Sequence, residues 1–85
     1  MYAIIVYDVS VERVMKVNKF LYQFLYWRQN SVFEGELRKS QLREITDWFK
    51  ENLENKDKVI IYTLRSEKLL KRIEIGKSQQ MTRIL

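Results

Sequence analysis

Two unbroken apolar runs rich in β-branched residues constrain the fold of this chain more than any other feature of its sequence. They occupy residues 2–7 (YAIIVY) and residues 59–64 (VIIYTL). A run without polar alternation is typical of a strand covered on both faces, because neither side of such a strand meets water. We therefore predict two central strands of one sheet, one early and one late in the chain.

Two amphipathic segments lie between these runs, and each predicts one helix. The first begins after an N-cap at Ser10, has Glu12 in its first turn, and continues to about residue 26. The second is capped at Arg38 or at Ser40 and ends at about residue 55. The apolar stripes that define the two helices are Val14, Val17, Leu21 and Phe24 in the first and Leu42, Ile45, Phe49 and Leu53 in the second.

The remaining segments predict short strands. Residues 27–37 suit two strands that break near Asn30 and Ser31, with Gly35 as the flexible point. Residues 69–75 place alternate side chains on opposite faces, which is typical of a strand at a sheet edge. An exposed edge pairs readily with another chain, so this fifth strand is a candidate for contact with a partner.

The predicted order is βαββαβ followed by an additional C-terminal edge strand, which makes the chain an α/β (α+β) protein with a split βαβ sheet. Both helices then cover the same face of the sheet and leave its other face bare. We assign residues 1–76 to this single domain and residues 77–85 to a tail that serves dimer exchange or partner docking.

A domain of 85 residues is small enough to need support from outside its own core, since it buries only about 60% of its unfolded surface. Cys and His are absent, which excludes disulfides and zinc sites built from thiolate or imidazole ligands. A partner subunit is the supplement that remains. We therefore predict a homodimer in which two bare sheet faces pack together and the fifth strand extends the partner's sheet.

The sequence also predicts the cellular compartment of the protein. No stretch approaches the roughly 20 apolar residues of a membrane span, and the chain begins with strand-like sequence rather than a basic segment and a signal core. Together with the lack of Cys, these features predict a cytoplasmic protein without membrane contact.

The formal net charge is +5, and the excess lies in residues 65–83, which hold six basic residues against two acidic ones. Such a pattern suits the phosphate backbone of a nucleic acid. Ordinary solvated surfaces show it too, so charge alone leaves the choice open. The basic residues that we expect to contact nucleic acid are Arg13, Lys16, Arg28, Lys71, Arg72, Lys77 and Arg83.

Without His or Cys, nucleophilic triads and imidazole acid–base catalysis are excluded, and two glycines cannot form a phosphate-binding loop. Asp8 directly follows the first strand and precedes a helix, at a sheet end where ligands collect. Two Asp8 carboxylates that meet across a two-fold axis would hold one Mg²⁺ ion with its waters. The alternative is that Asp8 only organises the turn between strand and helix.

Other polar and aromatic positions have ordinary interpretations. The cluster at residues 27–30 suits stacking on nucleic acid or packing of its aromatic residue. Glu34 and Glu36 alternate with a glycine on a strand, so we expect both to face solvent. The tyrosines that we expect at the edge of the core are Tyr2, Tyr7, Tyr22, Tyr26 and Tyr62.

Three segments carry a resemblance to a known family: MYAIIVYDVSVERV at residues 1–14, WRQNSVFEGEL at residues 27–37 and VIIYTLRSEKLLKRIEIGK at residues 59–77. In order and spacing they resemble the CRISPR-associated protein two family, the small adaptation protein and partner of the CRISPR integrase. The stretch QNSVFEGEL is the most specific part of the match.

This resemblance implies a ferredoxin-like fold, a homodimer formed through the sheets, and a C-terminal segment that exchanges between protomers or docks the integrase. It implies a metal-dependent endonuclease acting on RNA or double-stranded DNA, with Asp8 as catalytic residue and Mg²⁺ ligand. It also implies a scaffold that supports the duplex destined for the repeat array. The residues at motif positions near that site are Tyr7, Ser31 and Phe33.

Three functions follow from these observations. The first is a homodimer that binds duplex DNA and bridges integrase units during spacer acquisition. The second is a Mg²⁺-dependent endonuclease that uses paired Asp8 carboxylates, which we rank lower because each subunit supplies one carboxylate. The third is a ferredoxin-like regulatory domain that binds a small molecule or only itself, and the motif match disfavours it.

Overall fold

A computed structural model of the chain describes residues 1–76. The domain is an antiparallel sheet of four strands with two helices, in the predicted order βαββαβ. The elements are β1 (Tyr2–Asp8), α1 (Val11–Leu21), β2 (Tyr26–Gln29), β3 (Val32–Glu36), α2 (Lys39–Asn52) and β4 (Lys58–Leu64), followed by a 3₁₀ turn at Glu67–Leu69.

The strand order is β2-β3-β1-β4, so β1 and β3 are central and β4 lies at an edge. The prediction of a central strand at residues 59–64 is therefore wrong within one chain. β4 is apolar for another reason: Val59 and Ile61 pack on the core, while Ile60 and Tyr62 point to the face without helices and are exposed. An edge strand that is apolar on both faces leaves surface for a partner.

Strand alternation divides the sheet into two faces. On β1 the side chains of Ala3, Ile5 and Tyr7 are buried beneath the helices, whereas Ile4 and Val6 on the opposite face are half-buried. The helices contribute their apolar stripes to the same layer, as predicted. The buried core consists of Ala3, Ile5, Tyr7, Val17, Leu21, Leu25, Phe33, Leu37, Ile45 and Phe49.

Both helices are shorter than their sequence patterns indicate. α1 ends at Leu21 because the chain turns there to begin β2, and the last helix-type bond joins the Leu25 amide to the Leu21 carbonyl at 2.9 Å. α2 starts after Arg38, one of the two predicted caps, and ends where Leu53 becomes extended. Within residues 1–76 neither helix is long and apolar enough to cross a membrane.

The hairpin between β2 and β3 turns at Asn30, as predicted, with a φ of 40°. Gly35 does not serve as a flexible point, since it lies inside β3 and is buried. A Cβ atom at this position would come within 3.1 Å of Leu25 Cδ2. Close packing of β3 against the turn after α1 therefore explains the glycine.

The fifth strand predicted at residues 69–75 is not formed in the single chain. The 3₁₀ turn at Glu67–Leu69 changes the direction of the chain, and residues 70–76 then follow an irregular path over the face without helices. A strand needs a partner edge for its hydrogen bonds, and within residues 1–76 this segment pairs with none. The predicted tail at residues 77–85 lies outside the described residues.

Candidate nucleic-acid and metal site

Asp8 is the last residue of β1 and stands opposite Lys58 in the register with β4. Its side chain is exposed. Among residues 1–76 its carboxylate forms no ion pair with a basic side chain. An exposed carboxylate of this kind is available to an external cation.

The backbone on either side of Asp8 is held by hydrogen bonds. The Tyr7 amide donates to the Ser31 carbonyl at 3.1 Å, and the Ser10 amide donates to Asp57 Oδ1 at 3.0 Å. Asp57 therefore organises the turn between β1 and α1, the role that the alternative interpretation gave to Asp8. A carboxylate on a fixed backbone suits a site that needs a defined position.

Asp57 is a buried carboxylate that the sequence analysis missed, and its side chain is 1% exposed. It accepts hydrogen bonds from Arg13 Nε at 2.5 Å, Arg13 Nη2 at 3.1 Å, and the amides of Glu54 and Ser10 at 3.0 Å each. The Arg13 guanidinium holds the pKa of Asp57 well below its usual range. No local sequence signal marks this residue, because Arg13 lies 44 positions away.

The residues that the resemblance placed near the site are mainly structural. Tyr7 is buried, its hydroxyl donates to Asn18 Oδ1, and burial raises its pKa to about 12. Phe33 is fully buried, with its ring centroid 6.2 Å from that of Tyr7. Ser31 contributes its backbone carbonyl to the turn beside Asp8. These residues support the strand end on which Asp8 lies.

Three of the basic residues predicted to contact phosphate are bound to carboxylates of their own chain. Arg13 pairs with Asp57, and Arg72 pairs with Glu34. Arg28 Nε lies 3.6 Å from a Glu34 oxygen. The carboxylate offsets the positive charge of its arginine partner and occupies donors that a phosphate would need. The charge count of the sequence therefore overstates the available positive surface.

Two of the predicted basic residues remain accessible in the part of the chain that the structure describes. Lys16 is exposed on α1, with its Nζ 5.9 Å from the centroid of a Trp48 ring. Lys71 is exposed in the segment after the 3₁₀ turn. Their contact with nucleic acid stays a prediction. The other two residues of the set, Lys77 and Arg83, lie outside the described residues.

Comparison with known proteins identifies the family. The family model of the CRISPR associated protein Cas2 matches residues 1–72. The chain belongs to the Cas2 family. A protein of Pyrococcus furiosus named CRISPR-associated endoribonuclease Cas2 is 55% identical over 67 residues, which cover 78% of this chain and 79% of that protein.

Other members of the Cas2 family support the same assignment. A protein of the same name from Methanosarcina acetivorans is 48% identical over 77 residues, 89% of this chain and 88% of its own length. A solved structure described as a crystal structure of cas2 is 46% identical, with a TM-score of 0.87 over 93% of this chain and 90% of that one. The resemblance and the ferredoxin-like fold are thereby confirmed.

The residues of this Cas2 chain fit a shared metal ion better than an enclosed one. Within residues 1–76 no three Asp, Glu, His or Cys side chains lie close enough together to hold a metal. Mg²⁺, however, accepts one or two carboxylates and retains several waters. The exposed Asp8 fits that requirement when a second copy of the chain supplies a second Asp8 carboxylate. Mg²⁺ at the dimer interface stays a prediction.

The prediction that Glu34 faces solvent is wrong, since Glu34 is 3% exposed. It lies on the face without helices, as alternation requires, but residues 70–76 cross that face and cover it. Tyr2 Oη donates to Glu34 Oε1 at 2.6 Å, and Arg72 donates to the same oxygen. Burial acts to raise the pKa of Glu34, but the hydrogen bonds from Arg72 and Tyr2 outweigh it and lower that pKa.

The aromatic residues divide differently from the prediction. Tyr2 and Tyr7 are buried, whereas Tyr26 is 75% exposed and Tyr62 is 54% exposed, so the prediction of a core-edge position is wrong for the latter two. Trp27 is half-buried, and its indole N–H donates to the carbonyl of the hairpin turn at 3.1 Å. Packing in the hairpin therefore accounts for Trp27.

Proposed function

We propose that this member of the Cas2 family works as a homodimer that binds duplex DNA and bridges integrase units during spacer acquisition. One observation carries the proposal: the sheet face opposite the helices is apolar and incompletely covered. Ile4 and Val6 are half-buried on this face, and Ile60 and Tyr62 are exposed beside them. Dimerisation that covers such a face is favourable, because it removes apolar surface from water.

Pairing would also join features that are separate in one chain. The outer side of β4 is unpaired among the described strands. Two copies related by a two-fold axis would place two positive surfaces and two Asp8 carboxylates on one particle, since such an interface repeats each feature. A particle of that kind suits a duplex, which offers phosphates along its whole length.

We expect the affinity of this dimer for a short DNA duplex to fall steeply as salt rises, because each phosphate contact releases counterions. Lys16→Ala and Lys71→Ala each remove two contacts per dimer and should lower the slope of log K against log salt by about 1.8. Fluorescence anisotropy at salt concentrations of about 50 to 200 mM measures the slopes. Added CRISPR integrase should yield one dimer between two integrase units, observed by native mass spectrometry.

Lys39→Ala serves as the matched control for the binding experiment, because Lys39 is exposed at the start of α2 and outside the predicted set. It should leave the slope unchanged. An affinity that does not respond to salt would contradict backbone binding by this dimer.

A second function, metal-dependent cleavage of nucleic acid, is favoured by the carboxylate of Asp8, which is exposed and forms no ion pair within residues 1–76. The relatives from Pyrococcus furiosus and Methanosarcina acetivorans both carry the name endoribonuclease. A bound Mg²⁺ ion would supply a more acidic water and neutralise charge on the phosphate. The chain itself contributes the Asp8 carboxylate, held on a backbone that Ser31 and Asp57 fix on either side.

Asp8→Asn should abolish Mg²⁺-dependent cleavage of RNA or duplex DNA while it leaves duplex binding unchanged, because the amide keeps the shape and removes the charge that holds the cation. Gel assays with purified protein measure cleavage, and anisotropy measures binding. Glu12→Gln, a change at a neighbouring exposed carboxylate, is the control and should cleave normally. Cleavage that survives in Asp8→Asn would assign the activity to another site or another protein.

A further inference from the structure

We infer that Glu34 anchors residues 70–76 across the sheet in a fixed register, so that Ile73 and Ile75 are presented to a second copy of this chain. The inference deepens the proposed homodimer and rests on it. It assigns a role to a buried carboxylate that neither the phosphate contacts nor the Asp8 site uses.

The anchor is built around one carboxylate. Glu34 is 3% exposed and accepts hydrogen bonds from Tyr2 Oη, at 2.6 Å, and from Arg72. Arg28 Nε lies 3.6 Å from its second oxygen. A buried carboxylate with this set of partners is compensated, and the removal of one partner would leave a charge uncompensated.

A second ion pair fixes the direction of the segment. Arg28 Nη2 lies 3.1 Å from Glu74 Oε2, so Arg28 is shared between Glu34 and Glu74. Arg72 and Glu74 are two positions apart, and both side chains point to the sheet. The residues between and after them, Ile73 and Ile75, are exposed and therefore point away from the sheet.

The residues that point away are apolar. Ile73 is 84% exposed and Ile75 is 93% exposed, while Arg72 and Glu74, which alternate with them, contact side chains of the sheet. This is the reverse of the usual preference, in which charges face water and isoleucine is buried. The arrangement becomes favourable when another surface covers the two isoleucines.

A second copy of the chain is the occupant that the structure favours. Residues 70–76 form no strand hydrogen bonds in one chain, and the outer edge of β4 is unpaired within residues 1–76. A two-fold interface brings both features from each side, so each copy supplies what the other lacks. The exposed Ile60 and Tyr62 on β4 provide apolar side chains for such a contact.

Anchoring in advance would make this contact stronger. A free segment of this length would lose conformational freedom when it docks, whereas a segment held by Glu34 has lost it already on folding. The anchor therefore acts on dimer affinity through the position of Ile73 and Ile75, without itself needing to touch the partner.

The test is a double-mutant cycle at Glu34 and Arg72, read as the dimer dissociation constant by analytical ultracentrifugation in the absence of nucleic acid. Glu34→Gln and Arg72→Gln should each raise that constant about tenfold or more. The double variant should be no weaker than the weaker single variant, because both changes remove the same interaction. Arg72→Lys, which retains the charge but loses the guanidinium fork, should lie in between.

Two further variants complete the experiment. Lys68→Gln removes an exposed charge near the segment and should leave the dissociation constant unchanged. Ile75→Ser alters a residue that is 93% exposed in the protomer and should weaken the dimer about tenfold or more, with an unchanged circular dichroism spectrum. If Glu34→Gln does not fold, Arg72→Gln alone carries the test, since the Arg72 side chain is 35% exposed and lies outside the core.

A failure of the Glu34 anchor and a failure of the proposed homodimer would give different results. A wild-type dimer whose dissociation constant is unchanged in Glu34→Gln and Arg72→Gln overturns the anchor, whatever Ile75→Ser does. A wild-type chain that stays monomeric at every accessible concentration overturns the proposed homodimer itself. A weakened dimer in both single variants, with a non-additive double variant, supports the anchor.

Discussion

Phe33→Ala is expected to lower the free energy of unfolding by about 3–5 kcal/mol, because it removes a large side chain from a site that cannot collapse around the cavity. Phe33 is fully buried on β3, opposite Ile5, and its ring packs edge-on against Tyr22 with centroids 5.1 Å apart. Urea unfolding followed by circular dichroism, at one fixed protein concentration, measures the difference.

Two control variants show whether burial is the cause. Phe33→Leu keeps part of the buried volume and should lose about 1–2 kcal/mol. Tyr26→Ala truncates an aromatic residue that is 75% exposed on the neighbouring strand and should change stability by about 0.5 kcal/mol at most. A Phe33→Ala protein of normal stability that fails in nucleic-acid binding would contradict our conclusion that Phe33 is structural.

Asp57→Asn is expected to lower the melting temperature by about 5 °C or more. The change removes the negative charge that accepts both guanidinium hydrogen bonds of Arg13 and the amide hydrogen bonds of Ser10 and Glu54. An amide accepts through one atom only, so some of these donors lose their acceptor. Differential scanning calorimetry measures the effect, and Asp47→Asn, at an exposed site on α2, is the matched control.

The same residue predicts how stability depends on pH. The hydrogen bonds from Arg13 lower the pKa of Asp57 in the folded chain relative to the unfolded chain. A lowered carboxyl pKa contributes stability that is fully present above the unfolded pKa of about 4, and the contribution is lost as pH falls toward the lowered value. As the pH is lowered from about 6 through the range in which carboxylates titrate, the melting temperature should therefore fall more steeply in wild type than in Asp57→Asn. Parallel curves for the two proteins would contradict this account of Asp57.

The turn that carries Asp8 is held by Asp57 from the side of β4 and by Ser31 from the side of the hairpin. Among residues 1–76 the Asp8 side chain takes no part in these hydrogen bonds, and it is exposed at the end of β1. The proposed role of Asp8 therefore predicts that Asp8→Asn leaves the melting temperature unchanged, whereas Asp57→Asn lowers it.

The predicted and observed sets of accessible basic residues differ more than any other feature of the site. Seven residues were expected to contact phosphate, yet Arg13, Arg28 and Arg72 lie against carboxylates of the same chain. Lys16 and Lys71 are the accessible members of that set in the described part of the chain. Charge clustering in a sequence cannot reveal such pairs, because their members come from distant segments.

The sequence alone determined the order of the elements, the buried stripes of both helices, the hairpin turn at Asn30, the position of Asp8 at the end of β1 and the family. Each of these depends on periodicity or on a motif within a short stretch, which a sequence displays directly. The same alternation led to the expectation that Glu34 faces solvent, which is wrong because Glu34 is buried.

Only the tertiary structure showed that β4 lies at an edge and that Glu34 is buried. It also showed that Arg13 forms an ion pair with Asp57 and that residues 70–76 cross the sheet instead of forming a strand. The physical reason is distance along the chain. Arg72 and Glu34 are 38 positions apart, and Arg13 and Asp57 are 44 apart. Such pairs form only when the packed elements bring them together, so no local pattern predicts them.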